Sequence, residues 1–212
     1  MDKPAPPAHI EISRSAVKHN LEFLKKMIGE EVLFTSVVKG NAYGHGIEEY
    51  CSLALEAGVK NFCTYSADEA FRVWEATEGK AKIIVMGYKS IEALEWMIAN
   101  GIEFFVFEEG FLKEAKKVAE SVGKTAEIHL EIETGMNRTG IEVERLDPIL
   151  EYINQHADQL HLAGICTHFA GAESISNYYR VQKQHKVFYG VVKHLKSIQK
   201  LPPKVHAACS AA

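Results

Sequence analysis

The chain has 212 residues, of which 47% are hydrophobic, and it can therefore bury one substantial core. Its formal net charge of -4 supplies no basic field for nucleic acid, and no run of about 18 apolar residues could span a membrane. The first eight residues are polar and proline-rich and lack the apolar core of a secretory signal. We expect a disordered lead-in at 1–8 and a single domain over 9–212.

The cysteines and histidines indicate neither disulfides nor a metal site. The four cysteines are scattered and form no Cys-x-x-Cys pair, which favours buried thiols in a reducing cytosol. None of the ten histidines shares a predicted helix with a second histidine and a suitable carboxylate. The sequence therefore predicts a cytoplasmic protein without a bound metal ion.

Apolar periodicity predicts that strands and helices alternate along the chain. A short strand is predicted at 9–12, and seven longer strand-helix units begin near residues 33, 62, 83, 104, 127, 162 and 204. Ser66 and Glu69 form a predicted capping box, and a long helix is predicted over 174–199. Single helices between strands favour parallel pairing. Because a closed parallel barrel takes eight strands, the pattern predicts an open sheet or an incomplete barrel.

The strand predicted at 32–38 ends abruptly at Lys39. Three glycines follow within seven residues, Gly40, Gly44 and Gly46, so the pattern predicts a buried strand that delivers one amine to a tight loop. A partly desolvated amine is a nucleophile toward carbonyl compounds. Taken alone, a lysine at a strand end is more often a solvated side chain, since its long stem carries the ammonium into water.

Residues 37–46, VVKGNAYGHG, resemble the signature of the alanine racemases. In that family the lysine forms a Schiff base with pyridoxal 5'-phosphate, and the tyrosine four residues later contacts the cofactor. The resemblance implies these roles for Lys39 and Tyr43. It also implies an α/β fold, a (β/α)8 TIM-type barrel, of which about seven strand-helix units are present and from which the family's C-terminal β domain is absent.

A second polar loop follows the strand predicted at 127–132. Residues 131–140, EIETGMNRTG, place Arg138 between glycines, where a guanidinium can bind an anionic oxygen. They resemble the family's second signature, which implies that Arg138 contacts the cofactor's phenolic oxygen and orients the substrate. Many family members have a carbamylated lysine where this chain has Glu131. We expect Glu131 to hold Arg138 directly, and an ordinary interior glutamate is the alternative.

Two later strands also end in polar residues. A histidine such as His168, after the strand at 162–167, is more often structural than catalytic. The resemblance implies that His168 lies beside the pyridine ring and orients an arginine that faces the ring nitrogen. Ser210 follows the strand that starts near 204, and the resemblance implies that it binds the cofactor phosphate. The alternative for Ser210 is a helix cap. Cys209 stands where the family usually has asparagine, which removes one polar contact.

The function that the resemblance implies is the interconversion of L- and D-alanine, or of a related small amino acid, which supplies D-amino acid for peptidoglycan. Lys39 would exchange the Cα proton on one face. In the family the base for the opposite face and the arginine at the pyridine nitrogen lie beyond residue 212 of this chain. We therefore expect a homodimer for the full-length protein and no racemisation by this chain alone.

Two other functions remain open at the level of sequence. A single-domain protein that binds pyridoxal phosphate without turnover would also lack a second domain. Such proteins, however, do not have the sequence of residues 39–46 or of the Arg138 segment. A decarboxylase of the same barrel family is a third possibility. Borohydride reduction with peptide mapping would show whether Lys39 holds the cofactor, and adding the downstream sequence would separate a truncated racemase from a single-domain protein.

Overall fold

The computed structural model describes residues 9–207 and residue 209. The predicted lead-in at 1–8 and the predicted phosphate ligand Ser210 lie outside the described residues. The chain divides into two compact units, Met1–Tyr88 and Lys89–Ala212. Strands alternate with helices in each unit, as the sequence predicts.

The first unit contains three parallel strands with helices between them. β1 pairs with β2, and β2 pairs with β3. The elements of this unit, in chain order, are α1 (Arg14–Ile28), β1 (Ser36–Val37), α2 (Lys39–Tyr43), α3 (Ile47–Glu56), β2 (Asn61–Thr64), α4 (Ala67–Ala76) and β3 (Lys82–Val85). Its core consists of fully buried apolar side chains from strands and helices, among them Val38, Ile47, Phe62, Val73 and Ile83.

The start of the first unit differs from the prediction. Residues 9–12 form no strand, and α1 begins after Ser13, whose hydroxyl accepts a hydrogen bond from the Ala16 amide at 3.3 Å. The strand predicted at 32–38 was also too long, because only Ser36–Val37 pairs with β2. Val32 and Leu33 are 53% and 56% exposed. Apolar composition predicted burial there, but a strand also needs a neighbour for its backbone hydrogen bonds.

The second unit contains four parallel strands, paired in sequence order from β4 to β7. Its elements are α5 (Ile91–Ala99), β4 (Glu103–Val106), α6 (Glu109–Val122), β5 (Ala126–Glu131), α7 (Leu146–Gln155), β6 (Leu160–Thr167), α8 (Tyr178–Ser197) and β7 (Lys204–Ala207). Short 3₁₀ turns, Val143–Arg145 and Ile175–Asn177, precede α7 and α8. The long helix therefore begins four residues later than predicted.

A buried polar cluster lies among the strands of the second unit. His129 contacts Glu103 at 2.7 Å through Nε2 and His206 at 3.0 Å through Nδ1, and Lys204 also binds Glu103. Burial alone would raise the pKa of Glu103, but its hydrogen bonds from His129 and Lys204 prevail and lower the pKa to about 2. Burial lowers the pKa of His206 to about 4, and the neighbouring His129 adds to this effect. A side chain at Gly164 would lie 2.4 Å from His129 Nδ1, so glycine is required there.

Two predictions of the composition can be compared with the fold. Cys51, Cys63 and Cys166 are buried, and no disulfide joins the cysteines in the described part of the chain. No described helix is long and apolar enough to cross a membrane.

Candidate functional site

The first candidate residue, Lys39, follows β1 directly. The amide of Val38 donates to the carbonyl of Cys63 on β2 at 2.8 Å, which continues the strand pairing up to the lysine. Val38 is fully buried, whereas Lys39 is half-buried and Gly40 is exposed. The lysine therefore stands at the boundary between the apolar interior of the first unit and its surface, as the sequence predicts.

The chain after Lys39 forms a left-handed turn, which we call the Lys39 turn (residues 39–44). Gly40, Asn41, Ala42 and Tyr43 have φ values of 62°, 56°, 53° and 54°. For residues with a Cβ this conformation costs roughly 1–2 kcal/mol each. The Gly44 amide closes the turn on the carbonyls of Gly40 and Asn41, both at 3.1 Å. The glycines predicted a tight loop, but its left-handed course through three other residues was not predicted.

Glu69 holds the Lys39 turn by its backbone. Its carboxylate accepts hydrogen bonds from the amides of Gly40 at 2.6 Å, Asn41 at 3.4 Å and Tyr65 at 2.9 Å. The predicted capping box is wrong in part: Ser66 is the N-cap of α4, but its side chain makes no capping hydrogen bond. Glu69 reaches back to the residue before the cap and beyond it to the turn. It therefore stabilises the segment that carries Lys39.

A second set of contacts holds Asn41, the central residue of the turn. Its side-chain oxygen accepts from Arg72 Nη2 at 2.7 Å and from the Ile47 amide at 3.3 Å. Arg72 also donates to both oxygens of Glu48 at 2.6 Å. These hydrogen bonds raise the pKa of Arg72 and lower that of Glu48. Side chains from α3 and α4 thus fix the turn from outside, while Tyr43 is 63% exposed.

In the second unit, Arg138 lies on a loop after β5, which we call the Arg138 loop (residues 132–140). Backbone bonds close its base, from the Glu133 amide to the Ile141 carbonyl at 2.9 Å and from the Ile141 amide to the Glu131 carbonyl at 2.7 Å. The Glu133 carboxylate accepts from the amides of Gly135 and Asn137 inside the loop. Arg138 itself is exposed. The loop is therefore ordered by its own backbone, and its guanidinium faces solvent.

Glu131 lies at the start of this loop and is buried. Its carboxylate accepts a hydrogen bond from Thr139 at 3.0 Å, and among the described ion pairs none joins it to Arg138. Burial raises the pKa of Glu131, although the Thr139 hydrogen bond and the charges of Arg138 and Lys89 oppose this rise. Thr139, the residue after Arg138, donates to one oxygen of this carboxylate, and the direct contact between Glu131 and Arg138 stays a prediction.

Lys89 is a buried cation that the sequence analysis did not single out. It is 3% exposed, donates to the carbonyl of Phe105, and lies 5.1 Å and 5.2 Å from the ring centres of Phe107 and Phe111. Burial lowers its pKa to about 7, against the opposing charge of Glu131. The sequence offered a weak signal, since Lys89 follows β3 within a few residues, much as Lys39 follows β1.

His168 begins the segment after β6, which we call the His168 loop (residues 168–171). The residue is half-buried, and its carbonyl accepts from Gln184 of α8 at 2.9 Å. Arg138, Glu131 and His168 therefore belong to the second unit, and Lys39 and Tyr43 to the first. The sequence predicted Glu69 only as a local cap, and it did not single out Lys89 or Gln184. Gln184 had a readable signal, because it interrupts the apolar positions of α8.

Parallel strands that end in loops carrying a lysine, an arginine and a histidine define an α/β protein of the class whose active sites lie beyond the strands' carboxyl ends. The chain belongs to the alanine racemase family: residues 12–212 match the family model described as "Alanine racemase, N-terminal domain". The family predicted from residues 37–46 and 131–140 is therefore confirmed.

Curated relatives and solved structures agree with this assignment. The chain is 37% identical over 206 residues to an alanine racemase of Listeria monocytogenes, covering 97% of this chain and 54% of the relative. A second relative, from Ligilactobacillus salivarius, is 35% identical and covers 94% of this chain and 53% of the relative. The chain thus spans about half the length of the curated relatives it matches.

Two solved structures extend the comparison to the fold. An alanine racemase of Clostridium difficile 630 in complex with cycloserine has a TM-score of 0.85 at 28% identity, covering 93% of this chain and 54% of that one. The Bacillus anthracis alanine racemase with bound L-Ala-P has a TM-score of 0.83 at 32% identity, covering 94% and 51%. The predicted fold class, α/β of the TIM-barrel type, is therefore confirmed.

Proposed function

We propose that the full-length protein is a pyridoxal-phosphate-dependent alanine racemase, an isomerase, in which Lys39 binds the cofactor covalently. The observation that carries the proposal is the Lys39 turn, which presents a half-buried amine at the end of β1 on a backbone fixed by Glu69. Support comes from the relatives named alanine racemase and from the similar Bacillus anthracis alanine racemase with bound L-Ala-P.

The described side chains fit the chemistry of this cofactor, which presents an aldehyde, a phenolic oxygen and a phosphate. Lys39 supplies a primary amine, the group that condenses with aldehydes. Tyr43 supplies an exposed phenol in the same unit, and Arg138 an exposed guanidinium suited to anionic oxygens. A Cβ built at Gly40 or Gly44 meets nothing within 4 Å, so the turn leaves open space on these sides. We keep Ser210 as the proposed phosphate ligand.

Each residue has a defined task in the proposed reaction. When bound, pyridoxal phosphate supplies an electron sink that stabilises negative charge at Cα. Lys39 Nζ, once the substrate amino group has displaced it from the cofactor, would remove the Cα proton on one face or return it there. Arg138 binds an anionic oxygen of substrate or cofactor, and His168 orients a neighbouring group. We propose that the base for the opposite face belongs to further residues of the full-length protein, so residues 1–212 alone should not racemise alanine.

Exposed apolar side chains on the first unit support an assembly larger than this chain. Five of them fall within eleven residues and are at least 43% exposed: Phe23, Leu24, Met27, Val32 and Leu33. Such clustering is typical of surface that other protein covers. We propose that further residues of the full-length protein cover this stretch and that the protein is a cytoplasmic homodimer. Light scattering on the full-length protein tests the dimer, and a monomer would contradict it.

The test of the proposed function is the substitution Lys39→Ala in the full-length protein. We expect loss of the cofactor attachment that borohydride makes permanent, and racemisation lower by at least about 100-fold. In the parent, peptide mapping after reduction should find the cofactor mass on the peptide that contains Lys39. Lys60→Ala, an exposed lysine of the same unit, is the control and should retain both properties. Cofactor on another lysine of the parent would contradict the proposal.

A further inference from the structure

Gln184 is a fully buried polar residue on the apolar face of α8. Its neighbours on that face, Phe188, Val191 and Leu195, are buried apolar side chains. A buried amide in such a stripe is unfavourable unless its polar atoms are hydrogen-bonded. Gln184 meets this condition with three bonds, none of which is made to its own helix.

The three bonds of Gln184 end on two different loops. Its Oε1 accepts from the Ala170 amide at 2.9 Å, and its Nε2 donates to the His168 carbonyl at 2.9 Å. The second Nε2 hydrogen is donated to Thr134 Oγ1 on the Arg138 loop at 3.2 Å. One side chain therefore binds the His168 loop and the Arg138 loop at once.

The hydroxyls beyond Gln184 form a chain with one possible direction. Thr167 Oγ1 lies 2.9 Å from the Ile132 carbonyl, which can only accept, so the Thr167 proton is donated there. The proton of the 2.8 Å bond between Thr134 and Thr167 must then come from Thr134. Thr134 accepts in turn from Gln184. The order Gln184, Thr134, Thr167, Ile132 uses every donor once, and reversing the Gln184 amide would break it at both loops.

Other contacts hold the Arg138 loop close to α8. Arg180, one turn before Gln184, donates to the Gly135 carbonyl at 3.1 Å. Gly135 has φ of 126°, and a Cβ built there would lie 3.5 Å from Gln184 Cγ. The loop backbone therefore approaches the helix closely at the residue next to Thr134.

We propose that Gln184 is a positioning residue that links the Arg138 loop to the His168 loop, so that loss of its amide loosens both loops at once. The linkage depends only on hydrogen bonds within the second unit. Its consequence for substrate rests on the proposed function, because only then do both loops serve one reaction. Gln184 touches neither substrate nor cofactor in this view and acts by holding the two backbones.

The experiment measures amide hydrogen exchange in the full-length protein for Gln184→Met, with Gln182→Met as control. Gln182 lies on the same helix but is exposed, so its replacement should change neither loop. In Gln184→Met we expect exchange at least roughly tenfold faster both at 168–171 and at 134–138. Faster exchange in one loop alone, or the same response in Gln182→Met, would overturn the proposal.

A second pair of variants keeps the test decisive if Gln184→Met does not fold. Thr134→Val removes the link to the Arg138 loop but leaves the bonds of Gln184 to His168 and Ala170 intact. We expect faster exchange at 134–138 only, and Thr134→Ser should restore the parent rate because it restores the hydroxyl. Equal exchange in Thr134→Val and the parent would overturn the proposal.

A catalytic readout separates this inference from the proposed function. With cofactor bound, Gln184→Met should raise KM for alanine more than it lowers kcat, with kcat/KM at least about tenfold lower, while borohydride still fixes the cofactor on Lys39. If the parent carries no cofactor on Lys39, the proposed function fails, yet the exchange data still decide whether Gln184 links the loops. A kcat/KM equal to the parent's would overturn the positioning role.

Discussion

The Lys39 turn and the Arg138 loop are held in different ways. Charged side chains at the surface fix the first: Glu69 binds its amides, and Arg72 binds Asn41. The second also has charged contacts, from Glu133 and Arg180, but it is tied in addition to buried neutral groups, Thr134 and Gln184. Left-handed residues with a Cβ occupy three positions of the Lys39 turn but only one described position of the Arg138 loop, Asn137, and that loop instead carries buried polar groups that need hydrogen-bond partners. The contacts of the Lys39 turn should therefore be the more sensitive to ionic strength, whereas those of the Arg138 loop depend in addition on buried hydrogen bonds.

The largest expected effect concerns Lys89, the buried cation near the Arg138 loop. Its pKa of about 7 lies below its ordinary 10.5, so between these values the folded chain binds fewer protons than the unfolded chain. Stability from this group therefore rises with pH across that interval, and below pH 7 the full cost of burying the charge is present. The difference between these two pKa values corresponds to about 5 kcal/mol, at about 1.4 kcal/mol for each pH unit.

Lys89→Met tests this linkage. Relative to the parent, the variant should have its largest advantage in free energy of unfolding below pH 7. This advantage should shrink by several kcal/mol by about pH 10, because the parent gains stability as Lys89 loses its cost of burial. Denaturant melts at a series of pH values measure it. Lys113→Met, an exposed lysine of α6, is the control and should follow the parent at every pH. A difference that does not change with pH would show that Lys89 is not buried as a cation.

The second effect concerns the charged contacts of the Lys39 turn. Glu69→Gln leaves one acceptor oxygen where two served the amides of Gly40 and Tyr65, and we expect a loss of about 1 kcal/mol in free energy of unfolding. The lost contacts are charge-assisted and near the surface, so the loss of stability should be smaller in 1 M salt than in 0.05 M salt. The Debye screening length is roughly 3 Å in 1 M salt and more than about 10 Å in 0.05 M salt. Glu75→Gln on the same helix is the matched control.

The smallest effect tests the strain of the turn itself. Ala42→Gly relieves roughly 1–2 kcal/mol of left-handed strain and removes a buried methyl worth about 0.8 kcal/mol, so we expect a net gain of under about 1 kcal/mol. Ala54→Gly, at a buried and right-handed position of α3, should instead destabilise. Thermal melts of the two variants should therefore shift in opposite directions. Destabilisation by both would remove the argument for strain at Ala42.

Much of the fold could be predicted because each strand carries its own local signal. β2 begins at Asn61, next to the predicted start near residue 62, and Lys39 and Arg138 both follow strands as expected. The failures have physical causes outside the local sequence. Val32 and Leu33 are apolar enough for a strand, but nothing described pairs with them. The helical spacing predicts which face of α8 Gln184 occupies. It does not predict that two loops outside the helix supply the hydrogen-bond partners of Gln184.

The sequence predicts candidate site residues from the chemistry of their side chains, and their roles stay predictions. It does not predict which residues hold them in place. Lys39 and Arg138 could be singled out because of their side-chain chemistry and because each follows a predicted strand. Glu69 was interpreted as a local cap, because its contact with Gly40 spans 29 residues of sequence. A partner so far away in sequence becomes apparent only in the folded chain. Glu131 was expected to hold Arg138, and one of its carboxylate oxygens accepts from Thr139, eight residues later.

The buried polar cluster of the second unit has a consequence for how β7 finds its place. Lys204 and His206 turn toward Glu103 and His129, while Val205 between them is 40% exposed. Successive side chains of a strand point to opposite faces, so a slip of one residue would bring Val205 inward and leave the Glu103 carboxylate buried without its cation. The cluster therefore destabilises misregistered pairing and selects one alignment of β7 on β6 as the chain folds.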